Sequence, residues 1–388
     1  MEAGSRARQT ADLRVDNTAT ILSMLLRHQY VSRREFIRST GLAASTVSTI
    51  TGDLIERGLV SRIGNIGTSG AGRKAELLSR RPEAAYAAAV HFTPEQVRIG
   101  IIDFGYELVT ARNLSFDEGF TEDQTDLVID ELRTLIDASG YHIDLSAVGL
   151  ALPNDPFDNG AIVSRFRERF ETPIVYINNV EAMAMCEYYF QLGTSLSTFV
   201  FVYLGTGIGS GFIIDGELYR GVTGRASDFG HTYITDEQVV CRCGRTGCLE
   251  AVASESALKR ELEAQYTGLP PLNRKNLIPT VADLVRKEDP QAIDIVRRAA
   301  DYLGKGIFNL ASVLDPESVV VTGRINSMNP YFSNLVEQAY RRQARNSAFP
   351  GMPLHFIPLR EDAGITGTAM FCFKTLFCGG PRNAIAEK

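Results

Sequence analysis

Within 18 residues the sequence places His231, Cys241, Cys243 and Cys248, three of its six cysteines among them, in the spacing His-x9-Cys-x-Cys-x4-Cys. Thiolate and imidazole are the ligands that tetrahedral zinc prefers, and four of them close a structural site. Gly244 and Gly247 stand between the last two cysteines and let the chain fold back on itself. The alternative, three buried thiols and a core histidine, gives no reason for the clustering. The spacing therefore predicts a structural Zn2+ that fixes the local path of any fold this chain adopts. Cys186, Cys372 and Cys378 lie far apart in apolar surroundings. That distribution suits a reducing compartment with no disulfide framework, and the expected location is cytoplasmic. No apolar run has the length to span a bilayer, so no membrane partner is expected.

The charge is uneven. The whole chain is formally −6, yet residues 1–82 carry 13 Lys/Arg against 7 Asp/Glu while the rest carries 27 against 39. A basic head on an acidic body points to a polyanion at the head alone. There, Ile21, Leu22, Leu25 and Leu26 recur at helical spacing over Thr18 to Leu26. Ser32 with Glu35 is a capping box for a second short helix, and Gly41 stops it. A third helix is expected from Ala44 to Arg57, apolar at Val47, Ile50, Leu54 and Ile55, with Ser45, Thr46, Ser48 and Thr49 around its first turns. Small hydroxyls let a helix approach base edges in a major groove. A strand at 59–63, a glycine-rich wing at 64–72 and a second strand at 75–78 should follow. The segment 1–80 thus reads as a winged helix-turn-helix for a double-stranded DNA operator. Arg33, Arg34, Arg62, Arg73 and Lys74 are the phosphate-contact candidates. A small helical interaction module with a solvated basic face is the competing reading.

Residues 83–388 alternate strands and helices in the manner of an α/β domain with two lobes. Strands are expected at 87–92, 97–103, 147–152, 173–177, 199–204, 211–214 and 318–322, and helices at 124–138, 292–314, 331–346 and 363–377. The run Gly205-Thr206-Gly207-Ile208-Gly209-Ser210 is read as the link between two strands. It suits either backbone contact with an anion or a tight hairpin that needs glycine for its geometry.

Four segments carry a resemblance: 241–250 (CRCGRTGCLE), 228–231 (DFGH), 204–211 (LGTGIGSG) and 314–323 (LDPESVVVTG). They resemble the ROK family of repressors, open reading frames and sugar kinases, over about residues 83–378. The resemblance implies an actin-like, sugar-kinase-like domain with a cleft near 178–250, and the preceding winged helix resembles the family's repressor branch. The family's kinases carry an Asp-x-Gly-Gly-Thr phosphate loop where this chain has Ala89-Val90-His91-Phe92-Thr93-Pro94-Glu95. Their catalytic base is the Asp of an Asn-Asp pair, and here the pair is Asn178-Asn179. An amide takes no proton from a hydroxyl, so the chain is expected not to be an enzyme. The family's sugar contacts fall on Asn178, Asp228, His231 and Glu250, with Asn179 as an amide in place of the acid. Asp228 stands where the family has Glu, and Asp228 and Glu250 could instead support the zinc ligands.

The expectation is a sugar-responsive transcriptional regulator, most simply a repressor, that binds its operator as a homodimer or homotetramer. An ATP-dependent sugar kinase with a DNA-binding head, or a regulator with a vestigial pocket, are the alternatives.

Overall fold

A computed structural model describes residues 2–66, 75–94, 96–116, 119–139, 145–154, 158–192, 196–345 and 351–379. The backbone divides into two compact units, Met1–Thr194 with Asp362–Lys388, and Ser195–Glu361. The first unit runs α1 (Glu2–Arg27), β1 (Val31–Ser32), α2 (Arg33–Thr40), α3 (Ala44–Glu56), β2 (Val60–Ile66), β3 (Ala75–Arg80), β4 (Tyr86–Phe92), β5 (Gln96–Asp103), β6 (Leu108–Ser115), α4 (Thr125–Ala138), β7 (Leu145–Leu152), α5 (Asn159–Arg169), β8 (Ile174–Asn178) and α6 (Asn179–Glu187). The second unit holds β9 (Phe199–Leu204), β10 (Ile208–Ile214), β11 (Glu217–Tyr219), α7 (Leu249–Ala253), α8 (Glu255–Gln265), α9 (Leu277–Arg286), α10 (Pro290–Leu314), β12 (Ser318–Gly323), α11 (Tyr331–Ala344) and β13 (Leu354–Phe356). The chain then returns to the first unit as α12 (Ala363–Cys378).

The N-terminal segment forms around its caps. Ser32 Oγ accepts from the Glu35 amide at 3.3 Å while the Glu35 carboxylate accepts from the Ser32 amide at 2.7 Å. Gly41 ends α2 at φ +68. Ile21, Leu25, Phe36, Val47, Ile50, Leu54 and Leu78 then close one apolar cluster over a three-stranded sheet of order β1-β3-β2. Two expectations shift. Helix α1 starts at Glu2 rather than near Thr18, and β2 runs on to Ile66. The tip of the expected wing, with Arg73 and Lys74, lies outside the described residues.

The two larger sheets repeat one plan. Their orders are β6-β5-β4-β7-β8 and β11-β10-β9-β12-β13. In each, an antiparallel meander of three strands is extended by two parallel strands on the far side of its first strand. Strand β12 is buried along its whole length and β7 over its last six residues, as central parallel strands should be. The α/β expectation holds in both units. Most boundaries move by no more than two residues, but β10 begins at Ile208, not Gly211, because Ile208, Gly209 and Ser210 pair with Leu204, Tyr203 and Val202. The glycine-rich run is therefore a hairpin with a three-residue turn, closed by the Gly205 amide donating to Gly207 O at 2.9 Å.

Candidate metal and ligand site

His231 ends a 3-10 turn at Phe229–His231, and the three cysteines follow on an irregular loop that leads into α7. Gly244 and Gly247 adopt φ +84 and +79, and these left-handed positions turn the loop back on itself. The ligand atoms of His231, Cys241, Cys243 and Cys248 all fall within 4.8 Å of one another. Cys241 Sγ lies 3.6 Å from His231 Nδ1, and Cys243 Sγ lies 3.7 Å from Cys248 Sγ. A tetrahedron with metal–sulfur bonds of about 2.3 Å has sulfur–sulfur edges of about 3.8 Å, so these two contacts have the length of tetrahedral edges and the group could hold a metal ion. Burial pushes the Cys241 thiol up to about 12. At Cys243, burial is outweighed by hydrogen bonds from the Arg245 amide and guanidinium, which bring the thiol down to about 7.

Glu250, in the first turn of α7, is almost fully buried and fully engaged. Its Oε2 accepts from the Ile208 amide at 2.9 Å and from Arg242 Nη2 at 3.1 Å, while Oε1 meets Arg242 Nε at 2.7 Å. The carboxylate thus ties the cysteine loop to the start of β10. Asp228, three residues before His231, pairs with Arg225 Nε at 3.0 Å. Arg242 and Arg225 are absent from the expected site, and the only sequence signal for Arg242 was a charged residue inside a metal-binding Cys-x-Cys. The second unit therefore brings Asp228, His231 and Glu250 to one region.

Asn178 and Asn179 stand in the first unit at the start of α6. Asn178 caps that helix, its Oδ1 accepting from the Val180 and Glu181 amides at 2.8 and 3.3 Å, and its Nδ2 donates to Asn154 Oδ1 at 3.1 Å. Asn179 Nδ2 donates to Phe92 O, the end of β4, at 3.4 Å. Beyond Phe92 the chain makes a closed turn. The Thr93 amide donates to Gln96 O at 3.0 Å, and the Gln96 amide to Thr93 Oγ1 at 3.2 Å. Both amides are used within the turn.

The ROK family pattern matches residues 142–374, more than half of the chain. The chain belongs to the ROK family. Among its ROK relatives, the xylose repressor of Bacillus spizizenii is 26% identical, covering 91% of this chain and 93% of its own. The solved structure of a ROK family transcriptional regulator, a homologue of the Escherichia coli MLC protein, superposes with a TM-score of 0.74 at 20% identity over 95% of this chain and 97% of its own. A ROK hexokinase from Thermus thermophilus superposes with a TM-score of 0.62 at 24% identity, over 74% of this chain and 97% of its own. The ROK fold, α/β and sugar-kinase-like behind a helical N-terminal region, is the one described above.

Ahead of the ROK match, helix α3 exposes Ser45, Ser48 and Thr49 on one face, with Thr46 half-buried beside them. Arg34 is exposed on α2. Arg33 and Arg62 are not free cations: both pair with Glu76 of β3, at 2.8 and 3.1 Å, and Arg33 Nε also donates to Thr51 Oγ1 at 3.1 Å. Among the described residues no helix is long and apolar enough to cross a membrane.

Proposed function

We propose that this chain is a DNA-binding transcriptional regulator of carbohydrate use, in which a winged helix-turn-helix at 1–80 precedes a ROK domain at 83–388 that senses a sugar or sugar derivative and transfers no phosphate. The carrying observation is the extent of the likeness. The repressor match runs along nine-tenths of both chains, whereas the hexokinase accounts for three-quarters of this one. Helix α3 supports the DNA reading, since Ser45, Ser48 and Thr49 leave its outer face low and polar enough for base edges. Arg34, exposed on α2, is the readiest phosphate contact among the described residues, and Arg73 and Lys74 are proposed as further contacts from their sequence alone. Arg33 and Arg62 reach phosphate from their shared partner Glu76.

His231, Cys241, Cys243 and Cys248 hold a structural zinc ion, which fixes the loop carrying Glu250 and supplies no chemistry of its own. Asn178, Asn179, Asp228, His231 and Glu250 form the sugar-contacting set. Their amides and carboxylates suit vicinal hydroxyls. Phosphoryl transfer has no support in the first unit. The amides of Thr93 and Gln96 bond to one another's residue where a phosphate loop would need free amides, and Asn179 stands in the place of a general base. The protein acts in the cytoplasm as a homodimer or homotetramer on a palindromic operator.

Selection of duplexes from a random pool tests the reading. The full chain should enrich a sequence with two-fold symmetry, and a fragment of residues 83–388 should enrich none. Equal enrichment by the fragment, or none by the full chain, refutes it.

A further inference from the structure

Strand β3 ends in Arg80, and this arginine is 4% exposed. Its Nη1 donates to Phe104 O at 3.0 Å, in the turn between β5 and β6, and its Nη2 donates to the hydroxyl of Tyr189. The guanidinium carbon lies 3.7 Å from the centre of the Tyr106 ring and 5.2 Å from that of Tyr189, and the two rings meet edge to face at 4.7 Å. Tyr106 in turn donates from its hydroxyl to Leu26 O at 3.1 Å, in the last turn of α1. It does so from φ +76, a left-handed conformation that a tyrosine keeps only where its surroundings impose it. The end of α12 joins the same junction, with Phe377 and Cys378 packed on the N-terminal core and Phe377 5.1 Å from the Phe104 ring.

Tyr189 belongs to a π-helical turn, Tyr188–Leu192, that continues α6 without a break. From Asn179 to Leu192 the continuous helix is about 20 Å long, taking roughly 1.5 Å per residue. Asn178 and Asn179 stand at one end and Tyr189 at the other. Along its length α6 lies backbone to backbone against α12: a Cβ added at Gly367 would fall 1.7 Å from Ala182 O. Two helices in such contact move together.

We propose that Arg80, gripped by Tyr106 and Tyr189, is a positioning residue that clamps the N-terminal segment onto the ROK fold, and that α6 carries a displacement at Asn178 and Asn179 to this clamp. The identity of the far end as the effector end rests on the sugar-sensing reading above. The clamp itself does not. A displaced α6 moves the Tyr189 hydroxyl, and with it the end of β3. Coupling of this kind needs no contact between effector and DNA-binding surface.

Hydrogen exchange on the full-length protein without sugar tests both halves. Tyr189→Phe keeps the ring and removes only the acceptor, so it should fold. Amides of residues 78–80 and of the last turn of α1 should then exchange roughly tenfold faster, while those of β12 in the second unit stay unchanged. Arg80→Met should give the same local pattern, and Arg80→Lys, which keeps a cation over Tyr106 without the fork, an intermediate one. Asn178→Ala, which removes the cap of α6, should speed exchange at Tyr188–Phe190 and in β3 as well as at its own turn. Unchanged β3 and α1 amides in Tyr189→Phe and Arg80→Met overturn the clamp, and an Asn178→Ala effect confined to the first turn of α6 overturns the conduit. Failure of the sugar reading is distinguishable, because it would show as no thermal shift of the wild type with D-xylose or D-glucose.

Discussion

The cysteine loop illustrates how much a few side chains fix. Without a metal, Cys241, Cys243 and Cys248 would crowd thiols against an imidazole and a buried carboxylate, an arrangement with little to hold it. With zinc, the same four atoms, already within 4.8 Å of one another, would each gain a bond. The binding free energy of a structural zinc is folding free energy, so losing one ligand affects the loop and then whatever the loop supports. Here it supports Glu250, whose carboxylate holds the Ile208 amide at the start of β10. Elemental analysis of the purified protein is expected to give about one zinc per chain. Cys243→Ser should lose most of it and lower the melting temperature of the second unit. Full metal content in that variant would remove Cys243 from the ligand set.

The capping box at the start of α2 sets where the first helix of the α2–α3 pair begins. Hydrogen bonds from the Ser32 amide and then its hydroxyl hold the Glu35 carboxyl below the usual carboxylate range. A carboxylate depressed in the folded state stabilises it above its unfolded value of about 4.3, and that contribution is lost as pH falls through the folded value. Ser32→Ala should therefore cost the N-terminal segment about 0.5–2 kcal/mol at neutral pH, and the difference from wild type should shrink near pH 3. Denaturant titrations at the two pH values check this, and an equal loss at both would deny Glu35 its part. Elements such as this one are legible in sequence because everything that makes them lies within four residues. The periodicity of α3 and the ligand spacing of the cysteine loop are also contained in one short stretch of chain, 13 residues in α3 and 18 in the loop. What sequence reading misplaced depends on distant partners. Ile208 was read as loop because of its glycine neighbours, but it pairs with Leu204 and is held by a glutamate 42 residues on. Arg33 and Arg62 read as phosphate-contact candidates, and only the register of β2 on β3 brings Arg62 opposite the strand that carries Glu76, which both arginines meet. Arg80 gave no signal at all, since its partners at Phe104, Tyr106 and Tyr189 are scattered along the chain.

Across the whole molecule, the question is whether a fold shared with kinases retains their chemistry. Phosphoryl transfer depends on positioning and charge stabilisation far more than on any one base, and both must be in place together. In this chain, after the segment that the family resemblance sets against the kinase phosphate loop, Thr93 Oγ1 donates to Gln96 O and accepts from the Gln96 amide, and the Phe92 carbonyl accepts from Asn179. Asn179 Nδ2 donates to that carbonyl, and an aspartate would present only acceptors to it at neutral pH. The substitution Asn179→Asp should therefore destabilise the first unit slightly and create no appreciable activity, because the nucleotide would still lack an anchor. The wild type incubated with ATP, magnesium and a panel of hexoses and pentoses should form no sugar phosphate above the protein-free background. Isotope-labelled ATP makes the measurement sensitive enough to decide. Turnover by the wild type would overturn the non-catalytic reading, and turnover gained by Asn179→Asp alone would mean that the closed turn at 93–96 opens to admit phosphate.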